Sequence, residues 1–114
     1  MIPKFRAWNS ETKEIEVFQT YEEISELFLA LSADNGFYSI MQSTGLFDKN
    51  NKEIFEGDIV LVLDSPYTVF YDNERGSYRL KPHDDRWNVD YMSNFSHGGN
   101  FEVVGNIYEN KELL

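Results

Sequence analysis

The sequence predicts a mainly β fold, a small barrel or sandwich, with an N-terminal hairpin and one short α-helix. Three observations carry this. Short alternating or β-branched runs, separated by polar turns, recur along most of the chain. Aromatic residues make up 16% of the 114 residues, an excess that favours pleated, half-buried surfaces. Only one stretch repeats its apolar residues at helical spacing. The length suits one ordinary domain, large enough to bury a core without metal or disulfide staples. We therefore read 1–114 as a single domain, with the hairpin and helix in 1–36 and the barrel core in 37–114.

The elements follow in order. Lys4-Phe5-Arg6-Ala7-Trp8 alternates and reads as a strand, and Asn9–Lys13 is a polar turn. Glu14-Ile15-Glu16-Val17-Phe18 alternates again, with Ile15 and Val17 on one face, so the two runs form an opening hairpin. Thr20-Tyr21-Glu22-Glu23 is a capping box, in which Thr20 accepts from the Glu23 amide and Glu23 reaches back. Ile24, Leu27, Phe28 and Leu31 follow at helical spacing, and Asn35-Gly36 supplies a stop. The helix spans Tyr21–Ala33, and its Glu22, Glu23 and Glu26 form a solvated face.

Phe37–Gln42 reads as a third strand and Asp48–Lys52 as a tight turn. Glu53-Ile54-Phe55 leads into a second turn at Glu56-Gly57-Asp58. Ile59–Leu63 is then apolar without a break, as expected of a strand covered on both faces. Tyr67–Tyr71 and Ser77–Leu80, joined by Asp72–Gly76, form a hairpin. Lys81–Asn100 is the least patterned region. It holds Pro82, Gly98-Gly99 and an alternation of Trp87, Val89 and Tyr91 that suits a short strand in a loop. Phe101–Tyr108 is a last strand whose Gly105 marks a bulge, and Glu109–Leu114 suits a turn of helix.

The net charge of -10 argues against duplex nucleic acid and anionic membranes as partners, because both reward a basic footprint. No cysteine is present, which removes disulfides, thiolate metal sites and cysteine catalysis and fits a reducing cytoplasm. No apolar run has the length of a signal peptide or membrane span. These features together give the expectation of a cytoplasmic protein.

Several blocks carry a resemblance. Met41-Gln42-Ser43-Thr44-Gly45-Leu46-Phe47-Asp48 and Lys52-Glu53-Ile54-Phe55-Glu56-Gly57-Asp58-Ile59-Val60 resemble the core signature of the YopX-like proteins of phages and prophages. Lys4-Phe5-Arg6-Ala7-Trp8 resembles the opening of that family, and Val103-Val104-Gly105-Asn106-Ile107-Tyr108-Glu109-Asn110 resembles its close. Two turn positions depart from the pattern: Asn51 where glycine is common, and Lys111 where proline is common. The resemblance implies a bulged barrel of the Src-homology-3-like or pseudobarrel kind, homo-oligomerisation, a phage or prophage origin in a bacterial host, and no known enzyme activity. Physically, the signature residues Gly45, Gly57, Asp58, Gly105 and Asn106 read as architecture. Gly57 supplies a positive φ, Asp58 ties nearby amides, and Gly45 and Gly105 serve as turn or bulge points.

No constellation for catalysis emerges. His83 and His97 lie in the loop-like region outside any nucleophile motif and read as surface histidines. His83-Asp84-Asp85 offers metal-type ligands, but adjacent loop residues rarely converge on one ion. Gly98-Gly99 lacks the lysine and the spacing of a phosphate loop. The expectation is therefore no enzyme, no metal and no cofactor, with partners being a second copy of the chain and a host or phage protein. A single-stranded nucleic-acid-binding module is the alternative. Lys4, Arg6, Arg75, Arg79, Lys81 and Arg86 lie among Phe5, Trp8, Tyr78 and Trp87, the mixture that binds single strands by stacking beside a basic groove. The residues expected on such a surface, or on a protein-partner surface, are Arg75, Tyr78, Arg79, Lys81 and Trp87. Scattered cations on strands whose aromatics are core remain the preferred reading.

Overall fold

The computed structural model describes residues 4–32, 38–62, 64–84, 90–91 and 101–113. Among the described residues the fold is mainly β, with two antiparallel sheets, one of them a half-barrel, and one short α-helix. Its residues gather into two compact units, Met1–Ser43 and Thr44–Leu114.

In the first unit, β1 (Phe5–Asn9) and β2 (Glu14–Phe18) form the expected hairpin. Asn9 closes its turn, its Oδ1 accepting from the Glu11 and Thr12 amides at 3.0 and 3.2 Å. β3 (Tyr38–Phe47) pairs with β1 along Tyr38–Gln42. The register puts Phe5, Ala7, Phe18, Tyr38 and Ile40 on one face, where α1 (Tyr21–Ser32) adds Ile24 and Leu27 to the core. Ile15 and Val17 do share a face, but it is the opposite one, and Val17 is exposed. Glu16 lies on the core side, where Asn9 Nδ2 and the Tyr38 hydroxyl each donate to its Oε2 at 3.1 Å. Burial and that bond to Glu16 push the Tyr38 phenol above its ordinary pKa.

The capping box is present. The Glu23 amide donates to Thr20 Oγ1 and the Thr20 amide to Glu23 Oε1, both at 3.1 Å. The helix ends at Ser32; Ala33 and Asn35-Gly36, expected as its end and stop, lie outside the described residues. β3 is longer than the strand read from the sequence. It continues through Ser43-Thr44-Gly45 to Phe47, because β1 and then β4 (Glu53–Phe55) flank it. The boundary between the units falls inside this strand, beyond the subdivision read at 36/37.

In the second unit, β5 (Asp58–Val62), β6 (Ser65–Asp72), β7 (Ser77–Pro82), β8 (Asp90–Tyr91) and β9 (Phe101–Asn106) form a sheet of order β8-β7-β6-β5-β9. Ile59, Val60 and Val62 are all buried, as the unbroken apolar run foretold. The core of this unit is Ile54, Val60, Val62, Tyr67, Val69, Leu80 and Phe101. β9 bulges beside Gly105: Ile59 pairs with Gly105, but Val60 pairs with Val103 and skips Val104. Of the expected Trp87, Val89 and Tyr91 strand, only Tyr91 is described, paired with Arg79; Trp87, Val89 and His97 lie outside the described residues. A 3₁₀ turn, Lys111–Leu113, follows β9.

Candidate functional site

Of the signature residues, Gly57 and Asp58 meet Gly105 and Asn106 in space although they lie in separate blocks of the sequence. Asp58 and Asn106 are register partners, as are Ile59 and Gly105. The turn before β5 puts Gly57 at φ 88°, where a side chain would be strained. Its amide donates to the Val69 carbonyl at 2.8 Å, and its own carbonyl accepts from Ile107 at 2.9 Å. Asp58 is buried, and its Oδ2 accepts from the Phe55 amide at 2.8 Å. Asn106 is buried too. Its Oδ1 accepts from the Tyr108 and Glu109 amides at 3.0 and 2.8 Å, and its Nδ2 donates to Glu109 Oε1 at 2.8 Å.

Gly105 has a different reason from Gly57 to be glycine. A Cβ there would stand 2.5 Å from Asn110 Oδ1, the atom that accepts from the Asn106 amide. Gly45 lies inside β3 at φ 80° with open space where a Cβ would be, so its demand is conformational alone. Beside it, the Thr44 hydroxyl donates to the Ile54 carbonyl at 2.7 Å.

Asp48 belongs to the same architecture. Its Oδ1 accepts from the Asn50 and Lys52 amides at 2.9 and 2.8 Å, and its Oδ2 accepts from Val103 on β9 at 2.9 Å. The Lys49 amide adds a bond to the Phe101 carbonyl at 3.0 Å. The turn after β3 is thereby sewn to β9. Burial raises the Asp48 pKa, but the Val103, Lys52 and Asn50 amides outweigh it and hold the carboxyl below its ordinary value.

The surface proposed for nucleic acid or a partner lies on the β6–β7 hairpin. Asp72 organises its tip: Oδ1 accepts from the Glu74 and Arg75 amides at 3.0 and 3.3 Å, and Oδ2 pairs with Arg79 at 2.9 Å and Arg75 at 3.3 Å. The Arg79 bond is the first cause of a lowered Asp72 pKa, and the two turn amides reinforce it against burial. Arg79 and Arg75 thus spend their charge on this turn. Tyr78 faces the core on the opposite side of β7 from Arg79, edge-on to Tyr71 at 5.1 Å between ring centres. Its phenol is pushed up by burial first, then by the charges of Glu56 and Tyr71. Lys81 is exposed on the Arg79 side of the strand. Trp87, the fifth residue, is not among those described. The hairpin therefore presents Lys81 beside an internally neutralised Arg79, with Tyr78 turned away from both.

His83 extends the same ladder. Its amide donates to the Pro66 carbonyl at 3.1 Å, and its Nε2 lies 2.7 Å from the Thr68 hydroxyl. Among the described residues no group of three or more His, Asp or Glu side chains could hold a metal ion. No described helix is long and apolar enough to cross a membrane.

The profile of the family described as YopX protein matches residues 4–114, essentially the whole chain. The chain belongs to the YopX family. Among solved structures, this YopX chain is similar to protein EF1440 from Enterococcus faecalis, at 28% identity and TM-score 0.65, over 100% of this chain and 99% of that one. A comparison with curated proteins finds no match.

The YopX signature blocks are thus contiguous in the fold as well as ordered in the sequence. The residues that sequence reasoning did not single out are Asp48, Asp72 and Asn110. Asp48 and Asp72 stand two residues before amides they accept from, a local Asx-turn pattern that was available. The reach of Asp48 to Val103 and of Asn110 to Gly105 needs the fold.

Proposed function

We propose that this YopX-family protein is a phage or prophage accessory protein without catalytic activity, working by self-assembly and by binding a host or phage protein. One observation supports it above the rest: large apolar side chains stand exposed on both units. Val17, Tyr21, Phe28 and Leu29 do so in the first, and Phe47, Tyr71 and Val104 in the second. Exposed aromatics and aliphatics beyond isolated instances mark interaction surfaces. Polar side chains of the signature and its neighbouring turns are engaged in holding those turns: Asp48, Asp58, Asp72 and Asn106 each accept from backbone amides.

Sedimentation velocity at micromolar concentration tests the reading. A species larger than the 13.4 kDa chain is expected, and a monomer at every concentration would count against self-assembly. The nucleic-acid alternative predicts a salt-sensitive shift with an oligonucleotide, weakened by Lys81→Ala. The Asp72–Arg79 pair makes Lys81 the more telling substitution there.

A further inference from the structure

The solvent side of α1 carries large apolar side chains beside acidic ones. At 100° per residue, its exposed arc runs through Phe28, Tyr21, Ser25, Leu29, Glu22 and Glu26 in that angular order. Ile24 and Leu27 occupy the buried arc. The first part of the exposed arc is mainly apolar, with Phe28 49%, Tyr21 69% and Leu29 68% exposed around the small Ser25, and its remainder is acidic. Tyr21 and Phe28 lie two turns apart on one line, and the Phe28 ring is steadied edge-on against Phe5 at 5.9 Å. The helix carries Glu22, Glu23 and Glu26 and no basic residue. Glu23 is drawn into the capping box, which leaves Glu22 and Glu26 to flank the apolar stripe.

We propose that this face binds a basic amphipathic segment of another protein, its apolar side chains meeting Tyr21, Phe28 and Leu29 and its lysines or arginines meeting Glu22 and Glu26. The proposal rests on the protein-binding part of the function proposed above and deepens it. Charge selects the occupant. Two copies of α1 laid together would oppose three glutamates with three more and no compensating cation. A basic segment converts the same residues into complementary pairs, and the adjoining apolar stripe supplies affinity that charge alone does not.

The test uses the full chain and a synthetic helical peptide of about 18 leucines and lysines at helical spacing, with a leucine–glutamate peptide as its counterpart. Binding of the lysine peptide is expected, with backbone amide shifts concentrated in 21–29 and no binding of the glutamate peptide. Tyr21→Ser with Leu29→Ser should weaken it about tenfold or more, with helix content unchanged by circular dichroism. Glu74→Gln, at the tip of the β6–β7 hairpin, should change it less than about twofold. Failure of the lysine peptide to bind overturns the proposal. Equal affinity of the double variant, or shifts spread over other acidic surfaces, overturns it as well, by reducing the effect to bulk charge. Sedimentation of the double variant separates this proposal from the self-assembly reading. An oligomer unchanged from wild type supports a heterologous role for the face, whereas dissociation would assign it to contact between copies and overturn the proposal. A wild-type protein that is monomeric throughout would remove self-assembly and leave the peptide result to decide this face.

Discussion

Asp48 shows how one carboxylate connects distant parts of this chain. Three amides converge on it, one of them from Val103 far along the sequence. Asp48→Ala strands those donors; water can reach the Asn50 and Lys52 amides at the exposed turn, so most of the cost falls on the half-buried Val103 amide and the lost tie to β9, on the order of 1–3 kcal/mol. A loss of about 1–3 kcal/mol in unfolding free energy by denaturant titration is expected. The pH dependence has a definite sign. The folded pKa lies below the unfolded value near 3.8, so the contribution is whole above that pH and is lost as pH falls through the folded value. Asp48→Asn should flatten the acid limb of a stability profile recorded between neutral pH and about pH 2. The glycines offer a second contrast. Gly45 is constrained by φ alone and Gly105 by the closeness of Asn110. Because asparagine tolerates the left-handed region, Gly45→Asn should lower the melting temperature less than Gly45→Val. At Gly105, alanine and asparagine should both be costly, by about 1–3 kcal/mol. Residue roles were legible where the partner is local, as with Asp58 and the Phe55 amide. The reason for glycine at 105 was not, because it depends on a side chain folded back across the turn.

Among elements, α1 was the most legible because its signals are self-contained: a hydroxyl, a glutamate three residues on, then apolar residues at i, i+3 and i+4. Thr20→Ala should cost about 1 kcal/mol, with lost helix signal in thermal melts. Spectroscopic titration should find the Glu23 carboxyl below its ordinary pKa, because the Thr20 hydroxyl and amide and the Gln19 amide favour its charged form; Thr20→Ala should move it upward. β3 was the least legible. Ser43-Thr44-Gly45 reads as a turn in isolation, and only its neighbours β1 and β4 make it strand. The buried face of β2 was hidden for a similar reason. Ile15 and Val17 alternate as convincingly as Phe18, and the choice between faces is made by Ala7, Phe5 and the helix.

For the molecule as a whole, charge and apolar exposure oppose each other. A net charge of -10 repels copies, while burying the exposed aromatics would favour the self-assembly proposed above. Assembly should therefore strengthen as salt is raised from about 20 to 500 mM, where screening shortens the reach of the repulsion. Sedimentation across that range checks it, and dissociation at high salt would point instead to contacts made by ion pairs. The mainly β class was legible from the spacing of turns. That the two compact units divide inside β3 was not, because it depends on which strands neighbour β3.

The order of strands in the larger sheet also has a consequence in time. β5 is the most apolar strand of the chain and lies between β6 and β9. β6 follows it at once, but β9 begins only at Phe101. On a ribosome adding roughly 5–20 residues per second, the second partner of β5 is made about 2–8 s after the first. Through that interval β5 presents one bare hydrogen-bonding edge of buried-type residues, the kind that recruits foreign strands. β9 therefore acts as the seal on an aggregation-prone strand, and it is made well after it.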